Sequence, residues 1–171
     1  GIDPEHGHSG RLLFTSRPFR QLDGGEGLEQ REERSSEQAR LLPGDDGWTL
    51  VDTGLGLPDA TERWAAELRA EVSRVARVFV THFHPDHVGA AADVATLTGA
   101  PVLQGRLDYA QCALVWGSDA WAPELAGWFH RHGVPTPVTD ELVEQGSVYR
   151  PFIRYQPDPV LVDDGDRIDN W

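Results

Sequence analysis

Thr81-His82-Phe83-His84-Pro85-Asp86-His87-Val88-Gly89 is the stretch on which the reading of this chain turns, because three imidazoles and one carboxylate fall within six residues. Neutral imidazole and carboxylate are good ligands for zinc and other divalent first-row ions. His82 and His84 stand two apart, so in an extended segment both side chains leave on the same side. Pro85 holds His84 in an extended conformation and itself suits the first position of a helix. Asp86 and His87 then fall in the first helical turn, where the helix dipole favours a carboxylate. Gly89 leaves room for a close neighbour. The bland alternative is a chance cluster on a solvated loop. It leaves two things unexplained: the place of the cluster between a buried strand and a helix, where α/β proteins put their sites, and the mutual repulsion of so many imidazoles once protonated.

Working outward, Val78-Phe79-Val80 before the cluster reads as a buried strand. Val88 to Leu97 after it reads as a small-residue helix stopped by Gly99, and Pro101-Val102-Leu103 as the next strand. Upstream, Pro43 to Gly47 reads as a turn and Trp48 to Asp52 as a strand ended by Thr53-Gly54. Pro58-Asp59 opens a helix to about Ala76, with Trp64, Leu68, Val72 and Val75 on one face. Residues 48–104 thus alternate strand, helix, strand, helix, strand, which implies a layered α/β core with parallel neighbours. Residues 106–150 read as a helical insert: Arg106 to Trp116, Pro123 to His132, and Thr136 to about Gln145, with Thr136 as N-cap and Pro137 first in the helix. Pro151 to Pro159 reads as irregular, Val160 to Val162 as a strand, Asp163 to Asp166 as a turn, and Arg167-Ile168 as the start of another strand. Leu12-Leu13-Phe14 suits a short strand. Otherwise residues 1–40 read as a poorly structured segment, above all Gln21 to Arg40, which has almost no large apolar side chain. The expected organisation is therefore an irregular 1–40 and one domain over 41–171. No internal repeat is found.

Composition narrows the function. The 171 residues are enough for one hydrophobic core, and 39% apolar with 25% charged residues suits a soluble globular protein. The net charge of −13 repels phosphate backbones and argues against nucleic acid as a partner. No apolar run approaches the roughly 20 residues that cross a bilayer, and no basic region followed by an apolar stretch opens the sequence given. The expectation is a cytoplasmic protein acting on a small molecule, without nucleic acid or membrane. The single cysteine, Cys112, has no internal disulfide partner. It lies in an apolar, helix-like stretch with no histidine beside it in sequence, which reads as a buried structural thiol.

The segment THFHPDHVG resembles the His-x-His-x-Asp-His signature of the metallo-β-lactamase superfamily. Trp48 to Gly54, WTLVDTG, resembles the first motif of that family, a strand ending in Asp, and the helix between the two motifs matches as well. The resemblance spans about Leu41 to Ile168. It implies an α/β fold, the N-terminal part of an αββα sandwich with a helical insert at about 106–150. It also implies a dinuclear site in which His82 and His84 bind the first ion, Asp86 and His87 bind the second, and Asp52 supports the ligands from behind. Zinc is the default, two ions in the intact protein, with iron or manganese compatible with the same ligands. The implied activity is hydrolysis of an ester, thioester, lactone or related bond by activated water, with Asp86 helping to orient or deprotonate that water. The Asp86-His87 pair is closer to the glyoxalase II type than to true β-lactamases.

Three further ligands are expected in this family: a third His in a Gly-His motif, an Asp bridging both ions, and a last His. No residue after 132 is a candidate, and the chain reads as a fragment ending before them. Asp163, Asp164 and Asp166 resemble the hairpin that precedes the third His and read as structural. Gly7-His8 has the residue types of that motif in the wrong place. His130 and His132, two apart on a helix, face different directions and read as surface residues. Among Tyr109, Trp116, Trp121, Trp128 and Phe129, core packing accounts for most, leaving one or two to line a substrate pocket. Two other readings stay open: an iron-dependent sulfur dioxygenase of the same superfamily, and a non-catalytic truncated chain.

Overall fold

The computed structural model describes residues 11–13, 39–71 and 74–168. They form one six-stranded mixed sheet in which chain order and spatial order coincide. Strands β1 (Arg11–Leu13), β2 (Ala39–Gly44) and β3 (Gly47–Val51) are antiparallel neighbours. Strands β4 (Val75–Val80), β5 (Val102–Gly105) and β6 (Val160–Val162) continue from β3 in parallel. Each parallel step needs a crossover. Helix α1 (Ala60–Glu71) links β3 to β4, and the short α2 (Pro85–Val88) with α3 (Ala91–Thr98) links β4 to β5. The crossover from β5 to β6 is long and contains α4 (Arg106–Gly117), α5 (Trp121–Arg131), α6 (Thr136–Tyr149) and a 3₁₀ turn at Arg150–Phe152.

The register places Leu41, Leu50, Val78 and Val102 side by side on one sheet face. All four are buried, together with Trp64 and Leu68 of α1 and Val88 and Val94 of α2 and α3. The other row, Val51, Phe79 and Leu103, is only half-buried. The α/β class expected from the sequence is the one observed.

Several boundaries move, each for a tertiary reason. Pro43-Gly44 belongs to β2 rather than to a turn, and the hairpin turn is Asp45-Asp46 alone. Proline lacks a donor, and among the described residues no β1 partner stands beside Pro43, a position of the kind where a strand tolerates proline. Ala39-Arg40, expected to be irregular, open β2, and Ala39 is buried. The expected segment 21–38 and Phe14 lie outside the described residues. The helix expected to reach Ala76 is described over Ala60–Glu71, and Val75 and Ala76 belong to β4 instead. The single helix expected over 88–97 is two, separated at Gly89-Ala90. Thr136 is the first helical residue after an N-cap at Pro135, and that helix runs to Tyr149. Arg167-Ile168 do not form a strand. Gly99, with φ 69°, ends α3 as expected, its N–H donating to Ala95 O.

The break at Gly89 has a specific cause. Gly89 O accepts from Arg154 N–H at 2.7 Å, and Ala90 N–H donates to Gly54 O at 3.0 Å. The loop after β3, the break after α2 and the segment returning from the insert are thus woven together through the backbone. A Cβ at Gly89 would stand 2.5 Å from Pro85 O, 2.8 Å from Gly54 O and 2.9 Å from Gly56 N, all of them backbone atoms that cannot swing aside. Gly89→Ala should therefore lower the thermal midpoint, by about 1–3 kcal/mol of stability or more. Gly127→Ala, where the added Cβ meets only the flexible end of Arg131 inside α5, should instead raise stability by up to about 1 kcal/mol. Paired thermal melts check both signs, and equal effects would contradict the packing argument.

Candidate metal centre

β4 ends at Val80, and the next residues carry the cluster across the carboxyl end of the sheet. Asp52 ends the neighbouring strand. It is the sole described non-glycine residue with positive φ, at 62°, a conformation that Asp tolerates better than most residues. Its N–H donates to Phe79 O at 2.8 Å. This turns the buried carboxylate towards the cluster, where Oδ1 accepts Thr81 N–H at 2.8 Å and the Thr81 hydroxyl lies 2.9 and 2.8 Å from Oδ1 and Oδ2. His87 Nδ1 lies 2.8 Å from Oδ2. The His87 backbone is held too, its carbonyl accepting from Thr53 N–H at 2.8 Å and Thr53 Oγ1–H at 2.9 Å. Trp64 Nε1–H in turn donates to Thr53 O at 3.0 Å.

These bonds assign the imidazole protons. A carboxylate only accepts, so His87 Nδ1 carries a proton and donates to Asp52, and in the neutral ring Nε2 is the nitrogen left bare. The single proton of the Thr81 hydroxyl goes to Asp52, so Thr81 Oγ1 accepts from His82 Nδ1–H across 3.0 Å. His82 Nε2 is then bare as well. Asp52 thus orients His87 directly and His82 through Thr81.

The five residues expected at the centre, Asp52, His82, His84, Asp86 and His87, lie together here. His82 Nε2 stands 3.0 Å from His84 Nδ1, and the His82 and His87 ring centroids are 4.0 Å apart. Asp86 Oδ2 lies 3.8 Å from His87 Nε2. Burial, then the neighbouring His87 and His84, lower the His82 pKa, with Asp52 and Asp108 opposing; the neutral, ligating form is favoured. With zinc–nitrogen bonds of about 2.0–2.1 Å, two nitrogens on a tetrahedral ion are about 3.3 Å apart. The His82–His84 pair suits that edge, and the Asp86–His87 pair is about half an ångström wider than it. Among the described residues no three or more His, Cys, Asp or Glu side chains are arranged to hold one ion. The donor chemistry, imidazole and carboxylate, is of the kind that binds divalent ions.

The other expectations resolve as follows. His130 and His132 are exposed, His132 stacking on Trp128 with centroids 4.2 Å apart. His8 lies outside the described residues. Asp163 pairs with Arg106 at 2.7 Å, and its N–H donates to Asp166 Oδ2 at 2.8 Å, a structural turn. Cys112 is fully buried, and burial pushes its thiol up to about 12. Sequence reasoning missed Thr81, Asp108 and the polar role of Trp116. Phe83 N–H donates to Asp108 Oδ1 at 3.1 Å, and Trp116 Nε1–H donates to Phe83 O at 2.7 Å. Thr81 adjoins the motif and its hydroxyl was a usable signal; Asp108 lies 25 residues from Phe83 with no local pattern to mark it.

Comparison with known proteins bears on the family and the fold. The family model of the metallo-beta-lactamase superfamily matches residues 39–169. Among solved structures, a beta-lactamase domain protein from Burkholderia ambifaria is 24% identical with a TM-score of 0.63, over 96% of this chain and 45% of that one. A metallo-beta-lactamase family protein from Thermus thermophilus is also 24% identical, with a TM-score of 0.64, over 94% of this chain and 48% of that one. The likeness to these two is one of fold, and the chain spans about half their length. No curated protein matches.

Two outcomes are expected at this site. Asp52→Ala leaves Thr81 N–H and His87 Nδ1–H without their acceptor and should cost about 2–3 kcal/mol in urea denaturation. Asp52→Asn, which keeps one acceptor and tolerates the positive φ, should cost less; equal losses would contradict the bonding scheme. Cys112, buried and protonated at pH 8, should resist iodoacetamide in the folded protein and react once urea unfolds it, as mass spectrometry would show.

Proposed function

The chain belongs to the metallo-beta-lactamase superfamily, and from that premise we propose that its site serves metal-dependent hydrolysis of an ester, thioester, lactone or related bond in a small molecule. The observation that carries this reading is the pair of imidazole nitrogens, His82 Nε2 and His84 Nδ1, facing one another at 3.0 Å. Behind them a buried carboxylate sets the protons of His82 and His87. Such carboxylate–imidazole pairing raises ligand basicity and fixes ring orientation.

In this reading His82 and His84 would hold one ion, and Asp86 and His87 would hold a second. A bound divalent ion supplies Lewis acidity, polarising the substrate oxygen and lowering the pKa of water towards neutrality. The protein does the rest. Asp86, more exposed than His87, is the carboxylate placed to accept a proton from the attacking water or to orient it. Asp52, buried and fully engaged, keeps the imidazoles in their ligating tautomers. The acidic chain, at net charge −13, favours a small substrate over a nucleic acid. Among the described residues no helix is long and apolar enough to cross a membrane.

The test is metal content and esterase and thioesterase activity of the product of the whole coding sequence and of the 171 residues. Zinc is expected in both. It should be held more weakly in the 171 residues, where each ion finds two donors and catalytic zinc sites use three. His84→Ala should weaken zinc binding by more than the 10–100-fold typical of losing an outer partner and abolish turnover. A single iron with oxygen uptake and no hydrolysis would sink this reading in favour of a dioxygenase.

A further inference from the structure

Phe83 is the one residue between His82 and His84, so the geometry of its two peptide planes sets how far apart the two imidazoles stand. Both of its backbone polar groups are engaged by α4. Its N–H donates to Asp108 Oδ1 at 3.1 Å, and its carbonyl accepts from Trp116 Nε1–H at 2.7 Å. Neither partner belongs to the strand–loop–helix unit that carries the cluster.

The clamp is anchored at both ends. The second oxygen of Asp108 accepts from Gln104 Nε2 at 2.7 Å, and Gln104 is fully buried in β5, opposite Val80 of β4. The carboxylate is therefore tied to the strand beside the one that delivers the cluster. At the far end of α4, Arg150 donates to Val115 O at 2.8 Å and to Ser118 O at 2.7 Å, satisfying orphan carbonyls of the last turn next to Trp116. The Trp116 ring packs against the core. Metal ligands must hold their distances to within about 0.2 Å. A peptide free to rock between two ligating residues would not do that, and one bonded on both sides by a docked helix does.

We propose that helix α4 sets the separation of the His82 and His84 nitrogens, with Asp108 and Trp116 acting as positioning residues that grip the Phe83 peptide from its two ends. This rests on the reading of His82 and His84 as metal ligands. It gives the insert a role distinct from covering a pocket: the insert completes the geometry of the metal loop, and substitution of Asp108 or Trp116, neither of them a metal donor, changes metal affinity.

The test uses the metal-free 171-residue chain and four variants. Asp108→Ala removes the acceptor, Asp108→Asn restores one, and Trp116→Phe removes the donor but keeps a ring. Arg106→Ala is the control, since Arg106 lies on the same helix and pairs with Asp163. Zinc affinity is read by competition with a chromophoric chelator. Phe83 amide hydrogen exchange is read by NMR, and thermal midpoints are taken without metal. Asp108→Ala and Trp116→Phe should each weaken zinc binding about 10–100-fold, as losses of outer partners do. Asp108→Asn should stay within about threefold of the parent and Arg106→Ala should not change, because neither loses the clamp. Phe83 amide protection should fall most in Asp108→Ala, which loses its acceptor, fall less in Trp116→Phe, which frees the carbonyl of the same residue, and stay parental in Asp108→Asn and Arg106→Ala. Folded Asp108→Ala and Trp116→Phe with parental zinc affinity would overturn the proposal. If Asp108→Ala does not fold, Trp116→Phe against Arg106→Ala decides in the same way. A parent chain that binds no zinc defeats the metal reading, and the grip of α4 is then judged on Phe83 exchange, where no change in Asp108→Ala, or in Trp116→Phe if that variant alone folds, overturns it.

Discussion

The carboxylate of Asp52 is the constraint around which the site is organised. It is buried, it sits in a left-handed conformation at the end of β3, and it gathers Thr81 N–H, Thr81 Oγ1–H and His87 Nδ1–H. A buried charge is tolerated only when it is well bonded, and these donors come from the loop after β4 and the short helix that follows it. Burying the charge and closing the loop are therefore one event. Positive φ at a residue with a Cβ costs of order 1 kcal/mol or more and tends to persist at functional sites. Here it turns the carboxylate from the strand axis towards the imidazoles.

A second set of contacts keeps the loop against the rest of the chain. Gly56 N–H donates to Phe152 O at 2.8 Å, Arg154 N–H to Gly89 O at 2.7 Å, and Ala92 N–H to Arg154 O at 2.9 Å. The Arg154 side chain reaches Asp93 at 2.5 Å and Leu57 O at 3.0 Å. The segment returning from the insert thereby closes over the loop after β3 and the start of α3. Such close approach of backbones needs residues without a Cβ, and Gly56 and Gly89 supply them. The insert enters and leaves through contacts with the cluster-bearing segments, with Asp108 and Trp116 at one side and Phe152 to Arg154 at the other.

Much of this was legible in the residues themselves. The cluster at 82–87, the strand before it and the stop at Gly99 depend on neighbours in sequence: side-chain alternation, proline geometry and a left-handed cap. The α/β class followed from alternating strand and helix patterns, and the supporting place of Asp52 from its resemblance to a family motif. Where local pattern misled, a partner distant in sequence had overruled it. Val75 continues the helical spacing of α1, yet it pairs with Trp48 in the sheet. Pro43 signals a turn, yet it stands in β2, paired with Trp48 of β3.

The amino-acid sequence by itself determined which donors exist and that they lie on one loop after a strand, because ligand chemistry and local backbone geometry are properties of adjacent residues. Only the tertiary structure decided which ring nitrogen of His82 and of His87 is turned to a protein partner and what steadies the loop. Those features depend on Asp52 reaching His87 across 35 positions and on Trp116 reaching Phe83 across 33. Hydrogen bonds between such distant residues leave no periodicity in the chain, since what brings their partners together is the packing of β3, β4 and α4, not the spacing of the letters.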